Sequence, residues 1–278
     1  MRIAIGLVYD GSLFEGWQTQ SSGRGIQDHV EQALSVVADQ PIKVVGAGRT
    51  DTGVHATGQV AHFDTTVDRP LTAWVRGANS HLPPTIAVRW AVPVTDDFHA
   101  RFAARSRTYR YILYVSPVRP ALHPNQVGWF HLPLDVGAMQ SAAAYLIGQH
   151  DFSSFRAAEC QAKTPVRAIA SLMLAERSPY VHITVRADAF LHHMVRNIVG
   201  ALVYIGKGAH PPAWMGELLA RRDRRHAPPT FSAAGLYLTD IEYDVIFKLP
   251  PSSNESPWFD RPITTHANAH QDLRHHDP

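Results

Sequence analysis

Short runs in which apolar and polar residues alternate predict most of the β-strands of this chain. The clearest run covers residues 106–115, where Tyr109 and Tyr111 fall on one face and Arg110 and Ile112 on the other. The remaining predicted strands, of which the two between 167 and 187 are expected to pair as a hairpin, cover residues 2–9, 42–47, 59–64, 86–92, 167–176, 180–187 and 235–243.

Apolar residues at every third or fourth position predict the helices. Ile26, Val30 and Leu34, for example, fall on one face of a helix. The predicted helices cover residues 26–38, 71–79, 136–147, 191–205 and 214–221. Runs of adjacent strands with helices on one side favour an α+β fold over a doubly wound parallel sheet. We therefore predict an α+β protein with an N-terminal domain over residues 1–105 and a C-terminal domain over residues 106–250.

The charge is distributed unevenly along the chain. The 278 residues carry a net charge of +2, but residues 251–278 hold four acidic side chains and two arginines, so the rest of the chain carries +4. That terminal segment is polar and aperiodic, which predicts a disordered tail. In the body, arginines cluster at 101–110 and again at 221–225. Clustered arginine suits phosphate backbones, although a solvated surface is an equally good interpretation of the second cluster.

Cysteine content and hydropathy indicate a compartment. Cys160 is the single cysteine, so no intrachain disulfide can form, and no apolar run approaches the length of a membrane span. Residues 1–9 alternate like a strand and reach Asp10 too soon for a signal peptide. We expect a cytoplasmic protein.

A glycine-rich loop is the segment most indicative of chemistry. Residues 46–56, here called the Asp51 loop, follow a predicted strand and place one carboxylate among three glycines, with Arg49 two residues before it. Glycine lets the backbone approach a bulky partner, and a guanidinium can hold an aspartate ionised or bind a phosphate. Most loop aspartates only cap turns, so this pattern alone leaves the catalytic interpretation open.

The Asp51 loop resembles the signature of the tRNA pseudouridine synthase A family, G-R-T-D-x-G-V-H-A, with Thr52 in the free position. The resemblance extends over residues 1–248 in several independent segments in the same order. These segments are residues 9–11, 16–18, 98–102, 104–111, 150–155, 190–197 and 233–238.

The resemblance implies roles for individual residues. Asp51 matches the catalytic aspartate and Arg196 the arginine that pairs with it. Tyr109 matches a tyrosine that contacts the base, and Leu236 a residue that packs against the uracil. Arg49 would occupy the space left by an extruded nucleotide. Arg101 and Arg105 would contact phosphates, which position an RNA more than they specify its sequence.

The implied reaction isomerises a uridine in the anticodon stem-loop of tRNA. The N1–C1′ bond breaks, the uracil turns, and C5 joins C1′; whether Asp51 attacks C1′ or removes a proton from C2′ stays open. The family resemblance further implies two RRM-like, ferredoxin-like α/β domains whose mainly antiparallel sheets merge around a basic cleft. It also implies a homodimer and no cofactor or metal.

The residues alone also suggest other functions. Asp51-Thr52-Gly53 is also the aspartic protease tripeptide, but such a protease needs two aspartates and a nearly all-β fold. A non-catalytic RNA-binding protein explains the arginines and leaves the Asp51 loop without a purpose. His55 and His62 show no zinc-ligand spacing, and Cys160 lacks an activating base.

Overall fold

The computed structural model describes residues 1–252, so the predicted tail over residues 251–278 lies almost wholly outside the described residues. The strands are β1 (Arg2–Tyr9), β2 (Val44–Gly46), β3 (His55–Asp64), β4 (Ile86–Val94), β5 (Ser106–Val115), β6 (Gly128–Phe130), β7 (Gly148–Asp151), β8 (Val166–Arg177), β9 (Tyr180–Ala187) and β10 (Leu236–Glu242). The α-helices are α1 (Ile26–Ala38), α2 (Ala78–His81), α3 (Val136–Ala143), α4 (Met194–Gly206) and α5 (Trp214–Arg221).

All ten of these strands belong to one sheet. Its order is β4-β1-β3-β10-β5-β9-β8-β7, with β2 paired to β3 and β6 paired to β5. Only the β3–β10 and β5–β6 pairs among the described strands are parallel. The α+β expectation with a mainly antiparallel sheet is confirmed. The division at residue 105 stays a prediction.

Strand β10 joins the two halves of the sheet. Among the described strands it comes last in sequence, but it lies between β3 of the first half and β5 of the second. The parallel contact to β3 is short, Tyr237 opposite His55 and Leu238 opposite Ala56. Just beyond it Gly58 passes so close to β10 that a Cβ would lie 2.2 Å from the carbonyl oxygen of Thr239. This close approach places the Asp51 loop, which leads into β3, beside the residues that precede β10.

Most predicted elements are present with shifted ends. Strand β3 begins at His55 rather than residue 59, and α4 begins at Met194 rather than residue 191. The later helix start follows from His193, whose φ of 60° is left-handed and interrupts the helical backbone. The short strands β6 and β7 were not predicted, since three or four residues carry too little alternation to detect. A π-helical turn, Ala73–Gly77, precedes α2.

The core runs through both halves of the sheet. Buried side chains of β1, α1, β5, β9 and α4 belong to one continuous hydrophobic cluster, with Trp74 and Tyr111 among its largest members. None of the helices in residues 1–252 has the length and apolar character required to cross a bilayer.

Candidate active site

The Asp51 loop is held by the segment that follows β1. The hydroxyls of Tyr9 and Thr50 are hydrogen-bonded at 2.9 Å, and the Thr50 carbonyl accepts from the Trp17 amide at 2.9 Å. Gly16 has a φ of +83°, and a Cβ there would lie 2.5 Å from the Thr50 carbonyl oxygen. Buried partners on both sides of Thr50 therefore fix the backbone immediately before Asp51.

Three groups, one in the first turn of α4 and two just before the helix, surround the Asp51 carboxylate. Nη1 of Arg196 lies 3.0 Å from Oδ2. The Nε2 atoms of His192 and His193 lie 3.4 Å from Oδ1 and Oδ2 respectively. The carboxylate itself is 20% exposed. A small opening to solvent, an adjacent guanidinium and two imidazoles together describe a carboxylate that is accessible and electrostatically supported.

The Arg196 guanidinium is fixed at two points. Its Nε donates to the carbonyl of Phe231 at 2.9 Å while Nη1 reaches Asp51. Phe231 belongs to the segment before β10, and in the same segment Ala233 lies against Gly53 of the Asp51 loop. The predicted pairing of Arg196 with Asp51 thus agrees with the geometry, and its role in catalysis stays a proposal.

The histidine pair was not predicted as part of the site. The two rings lie 3.9 Å apart, and burial lowers the pKa of His193 against the opposing effect of Asp51. His192 and His193 precede Arg196 by four and three residues, so helical periodicity offered a signal. The left-handed backbone at His193 means that it begins α4 rather than lying within it.

Asp51, His192 and His193 are also the one described group whose atoms could hold a metal ion, since their ligand atoms lie within 4.8 Å of one another. Imidazole nitrogens and a carboxylate suit zinc. The positive charge of Arg196 beside Oδ2 would repel a metal ion bound to the same carboxylate. The expectation of no metal and no cofactor stays a prediction.

Tyr109 lies on β5 beneath the Asp51 loop. It is 7% exposed, packs edge-on against Phe190 with ring centroids 5.0 Å apart, and donates from its hydroxyl to the Arg49 carbonyl at 3.4 Å. Burial raises the pKa of Tyr109 well above its usual range, and the charges of Tyr9 and Asp51 add to the increase. The side chain is therefore a neutral phenol at physiological pH.

Arg49 is one of two exposed residues of the loop, together with Thr52. Its side chain forms no hydrogen bond or ion pair with any residue in the described range 1–252. The backbone beneath it is fixed, because the buried Gln59 amide donates to the Gly48 carbonyl at 2.7 Å. The guanidinium is therefore available to a ligand, and the backbone that carries it is held in place.

The other predicted substrate contacts differ in their surroundings. Leu236 is 4% exposed at the start of β10, opposite Tyr111, which suits packing in the core as well as packing on a base. Arg101 is exposed, with its guanidinium carbon 5.5 Å from the centre of the Phe102 ring. Arg105 forms an ion pair with Asp244, so a phosphate would have to share or displace that carboxylate.

Arg107 belongs to the first arginine cluster but has a structural position. Its guanidinium donates to four backbone carbonyls, including those of Ala47 at 3.1 Å and Arg101 at 2.6 Å. It therefore fastens the segment around residue 101 to the beginning of the Asp51 loop. A guanidinium occupied in this way has few donors left for RNA.

The second arginine cluster is also partly occupied. Arg224 donates to Asn197 and Thr230. Arg225 pairs with Asp223, and Arg222 lies 3.7 Å from Asp151. These partners favour a structural interpretation for Arg224, while the role of the cluster in RNA contact stays open.

His55 and His62 lie apart from the histidines of the site and have separate structural partners. His55 is buried, and its Nδ1 accepts from the Gly11 amide at 3.1 Å. His62 is also buried, and its Nδ1 accepts from the Ala100 amide at 3.1 Å. Cys160 is half-buried, and its Sγ accepts from the His192 amide at 3.4 Å.

The chain is similar over most of its length to a known family and to several named proteins. A family model described as tRNA pseudouridine synthase matches residues 7–103 and 142–244. A tRNA pseudouridine synthase A from Thiobacillus denitrificans is 58% identical over 258 residues, covering 93% of this chain and 99% of the relative. Proteins of that name from Paraburkholderia xenovorans and Paraburkholderia phytofirmans are each 54% identical, covering 92% of this chain and 96% of the relative.

A chain of a Cbf5–Nop10–Gar1 complex is similar over 85% of this chain and 48% of its own length, with 10% identity and a TM-score of 0.38. That similarity is too weak to add to the argument. The family match covers most of the body, and the identities to curated relatives exceed half over nearly their full length. This chain belongs to the tRNA pseudouridine synthase family.

Proposed function

We propose that this chain converts uridine to pseudouridine in the anticodon stem-loop of tRNA, with Asp51 as the reacting carboxylate. The observation that carries the assignment to Asp51 is its ion pair with Arg196, formed at a partly open position. The reaction is an isomerisation, so no atom is gained or lost overall. The N1–C1′ bond is exchanged for a C5–C1′ bond, C5 releases a proton, and N1 takes one up.

Asp51 has to be ionised in either of the two possible roles. As a nucleophile it would attack C1′, and as a base it would remove a proton from C2′; both need an anionic oxygen beside the ribose. Arg196 contacts Oδ2 and stabilises that anion. Oδ1 is left to the weaker contact with His192, and is the oxygen better placed to react.

Tyr109 would hold the detached uracil. Its ring lies below the Asp51 loop, and its hydroxyl carries a proton because burial raises its pKa. A protonated phenol can donate a hydrogen bond to a base or pass a proton on, but it is not a standing base for the C5 proton. Tyr109 therefore contributes stacking and hydrogen bonding, with deprotonation only as part of a relay.

Arg49 would take the place of the uridine when that nucleotide leaves the stack. A stacked base must be extruded before an enzyme can reach its ribose. Arg49 is exposed, two residues from Asp51, and has no partner among residues 1–252, which suits insertion into RNA. Arg101 would add a phosphate contact.

We further propose that a homodimer acts in the cytoplasm, with one tRNA touching both subunits and so meeting a wider positive surface.

The test uses unmodified tRNA carrying tritium at C5 of its uracils. Wild-type protein should release tritium, and the modified positions should map to the anticodon arm. Asp51→Asn keeps the shape of the side chain and removes its charge, so it should bind the tRNA and release no tritium. Asp68→Asn, at an exposed aspartate on another loop, serves as the matched control and should behave as wild type.

Three outcomes would contradict parts of the proposal. Release mapping to another arm would remove the assigned substrate and leave the chemistry. Full activity in Asp51→Asn would remove the catalytic assignment. Binding without any release by the wild type would favour the RNA-binding alternative. The protease alternative already fails, because the family is different and residues 1–252 contain five α-helices.

A further inference from the structure

Phe102 is unusually exposed for a phenylalanine. At 75% it is the most exposed phenylalanine, tyrosine or tryptophan among residues 1–252; the next are Tyr145 at 47% and Trp129 at 40%. Burying a phenylalanine side chain stabilises a fold in proportion to the apolar area that is removed from water. At 75% exposure Phe102 contributes little of that stabilisation, so most of its ring is available to a ligand.

The exposed ring is nevertheless held in place. The His99 ring lies against it with centroids 4.3 Å apart and planes inclined by 30°. Nδ1 of His99 is within reach of the amides of Arg101 and Phe102, at 3.2 and 3.3 Å. His99 thereby fixes both the backbone and one side of the Phe102 ring. A preorganised aromatic surface loses little entropy when a ligand binds.

The ring is connected to the active site through one guanidinium. Nη2 of Arg107 donates both to the Arg101 carbonyl at 2.6 Å and to the Ala47 carbonyl at 3.1 Å. Ala47 opens the Asp51 loop, two residues before Arg49. The segment that carries Phe102 and the loop that would extrude the uridine are therefore hydrogen-bonded to the same guanidinium.

One cationic group accompanies the ring. The Arg101 guanidinium lies 5.5 Å from its centre and makes no ion pair with a residue in the described range. An aromatic surface beside unpaired arginine is the combination that binds single-stranded nucleic acid, because bases stack while phosphates meet the cations. Phenylalanine and arginine are also enriched in protein–protein interfaces, so a second copy of this chain is the other occupant that the experiment has to test.

We propose that Phe102 is a stacking site for a nucleobase of the RNA substrate, next to the extruded uridine, with Arg101 on a neighbouring phosphate. This inference rests on the proposed function, since it assigns a further contact to the same RNA. It adds a surface outside the Asp51–Arg196–Tyr109 centre, and it predicts that flanking nucleotides contribute to binding through stacking rather than through base-edge hydrogen bonds.

The experiment compares Phe102→Leu with Phe102→Trp in the full chain. The dissociation constant for a labelled unmodified tRNA transcript is measured at fixed salt, together with KM and kcat from tritium release. Leucine keeps an apolar side chain but cannot stack, so Kd should rise about five- to a hundredfold, the range expected for one base–aromatic stack. KM should rise more than kcat falls. Tryptophan should restore binding to within about threefold of wild type.

Tyr145→Leu is the matched control, because it makes the same kind of change at the next most exposed aromatic residue, which packs against α5 at Gly216. It should leave Kd unchanged. Wild-type Kd in Phe102→Leu, or equal losses in the leucine and tryptophan variants, would overturn the inference. So would a change of oligomeric state by light scattering without a change of Kd, which would assign the ring to a second copy of the chain. Failure of the proposed function would show separately, as absence of tritium release by the wild type.

Discussion

Nη1 of Arg196 lies 3.0 Å from Oδ2 of Asp51, although the two residues are 145 positions apart in sequence. The contact joins the β2–β3 loop of the first half of the chain to α4 of the second. It exists because β10 unites both halves in one sheet. The carbonyl of Phe231, in the segment before β10, also accepts a hydrogen bond from Nε of the same guanidinium. The ion pair is thus a product of the complete fold.

Replacing Arg196 by lysine tests that double contact. One ammonium cannot both accompany Asp51 and donate to the Phe231 carbonyl along the direction of Nε. A hydrogen bond to a charged group is worth about 1.5–3 kcal/mol, so kcat for tritium release should fall about ten- to a hundredfold. Arg225→Lys, which alters an exposed ion pair with Asp223, is the control. An unchanged kcat in Arg196→Lys would show that the charge alone suffices.

We expect the alanine variants of Arg49 and Arg101 to differ, the first lowering kcat/KM and the second weakening tRNA binding. Arg49→Ala should lower kcat/KM strongly with little change in the free energy of unfolding, because the side chain has no partner in residues 1–252.

Arg101→Ala should weaken binding evenly across tRNAs. It should also reduce the slope of the logarithm of the association constant against the logarithm of the salt concentration by about 1. Arg76→Ala, at another exposed arginine, should change neither quantity. An unchanged salt slope in Arg101→Ala would remove its phosphate contact.

Gly58 tests the junction between β3 and β10. A Cβ at this position would lie 2.2 Å from the Thr239 carbonyl oxygen, so Gly58→Ala must push the two strands apart. We expect a loss of about 3 kcal/mol or more in the free energy of unfolding, measured by urea denaturation. Because the junction also aligns the Asp51 loop, activity should fall in the fraction that remains folded.

Gly137→Ala provides the comparison for that measurement. Its added Cβ would meet only the side-chain oxygen of Asp135, at 3.2 Å, which can move slightly. Its free energy of unfolding should stay within about 1 kcal/mol of wild type, since alanine also favours the helix. A Gly58→Ala protein as stable as this control would mean that β3 and β10 adapt without cost.

His62 predicts a dependence of stability on pH. Burial lowers its pKa from the ordinary 6.5 to about 4, helped by Arg2 and His99 and opposed by Asp64. Between pH 6.5 and pH 4 the unfolded chain binds more protons at this residue than the folded chain does. The contribution of His62 to the free energy of unfolding is therefore fully present above pH 6.5 and is lost as the pH decreases towards 4. His182 on β9 has its pKa lowered to about 4 in the same way.

The expected loss from His62 is about 2 kcal/mol between pH 7.5 and pH 5. His62→Gln retains an acceptor for the Ala100 amide but cannot take up a proton. Its free energy of unfolding should therefore change less between those two pH values than that of wild type, whatever its absolute stability. His81→Gln, at an exposed histidine, should keep the wild-type dependence. An identical pH dependence in His62→Gln and wild type would show that His62 titrates normally.

The sequence by itself determined most of the elements and pointed to one candidate loop. Helix α1 has the predicted ends, as do β5 and β9, because their periodic apolar faces are long enough to specify both the type of element and its buried side. The glycines and the nearby Arg49 drew attention to the carboxylate of Asp51, and the resemblance to a family signature turned that pattern into a catalytic hypothesis. Short strands, and the left-handed turn at His193, left no such pattern.

Only the tertiary structure decided which side chains meet. Periodicity describes one element at a time, whereas the insertion of β10 between β3 and β5 depends on backbone approach at Gly58 and on burial shared by both halves. That insertion brings Arg196 of α4, and His192 and His193 just before α4, to Asp51. It also distinguishes arginines of similar appearance in the sequence: Arg107 is used up by backbone carbonyls, while Arg49 and Arg101 remain exposed. Charge can be counted along a chain, but its availability depends on what the folded neighbours already bind.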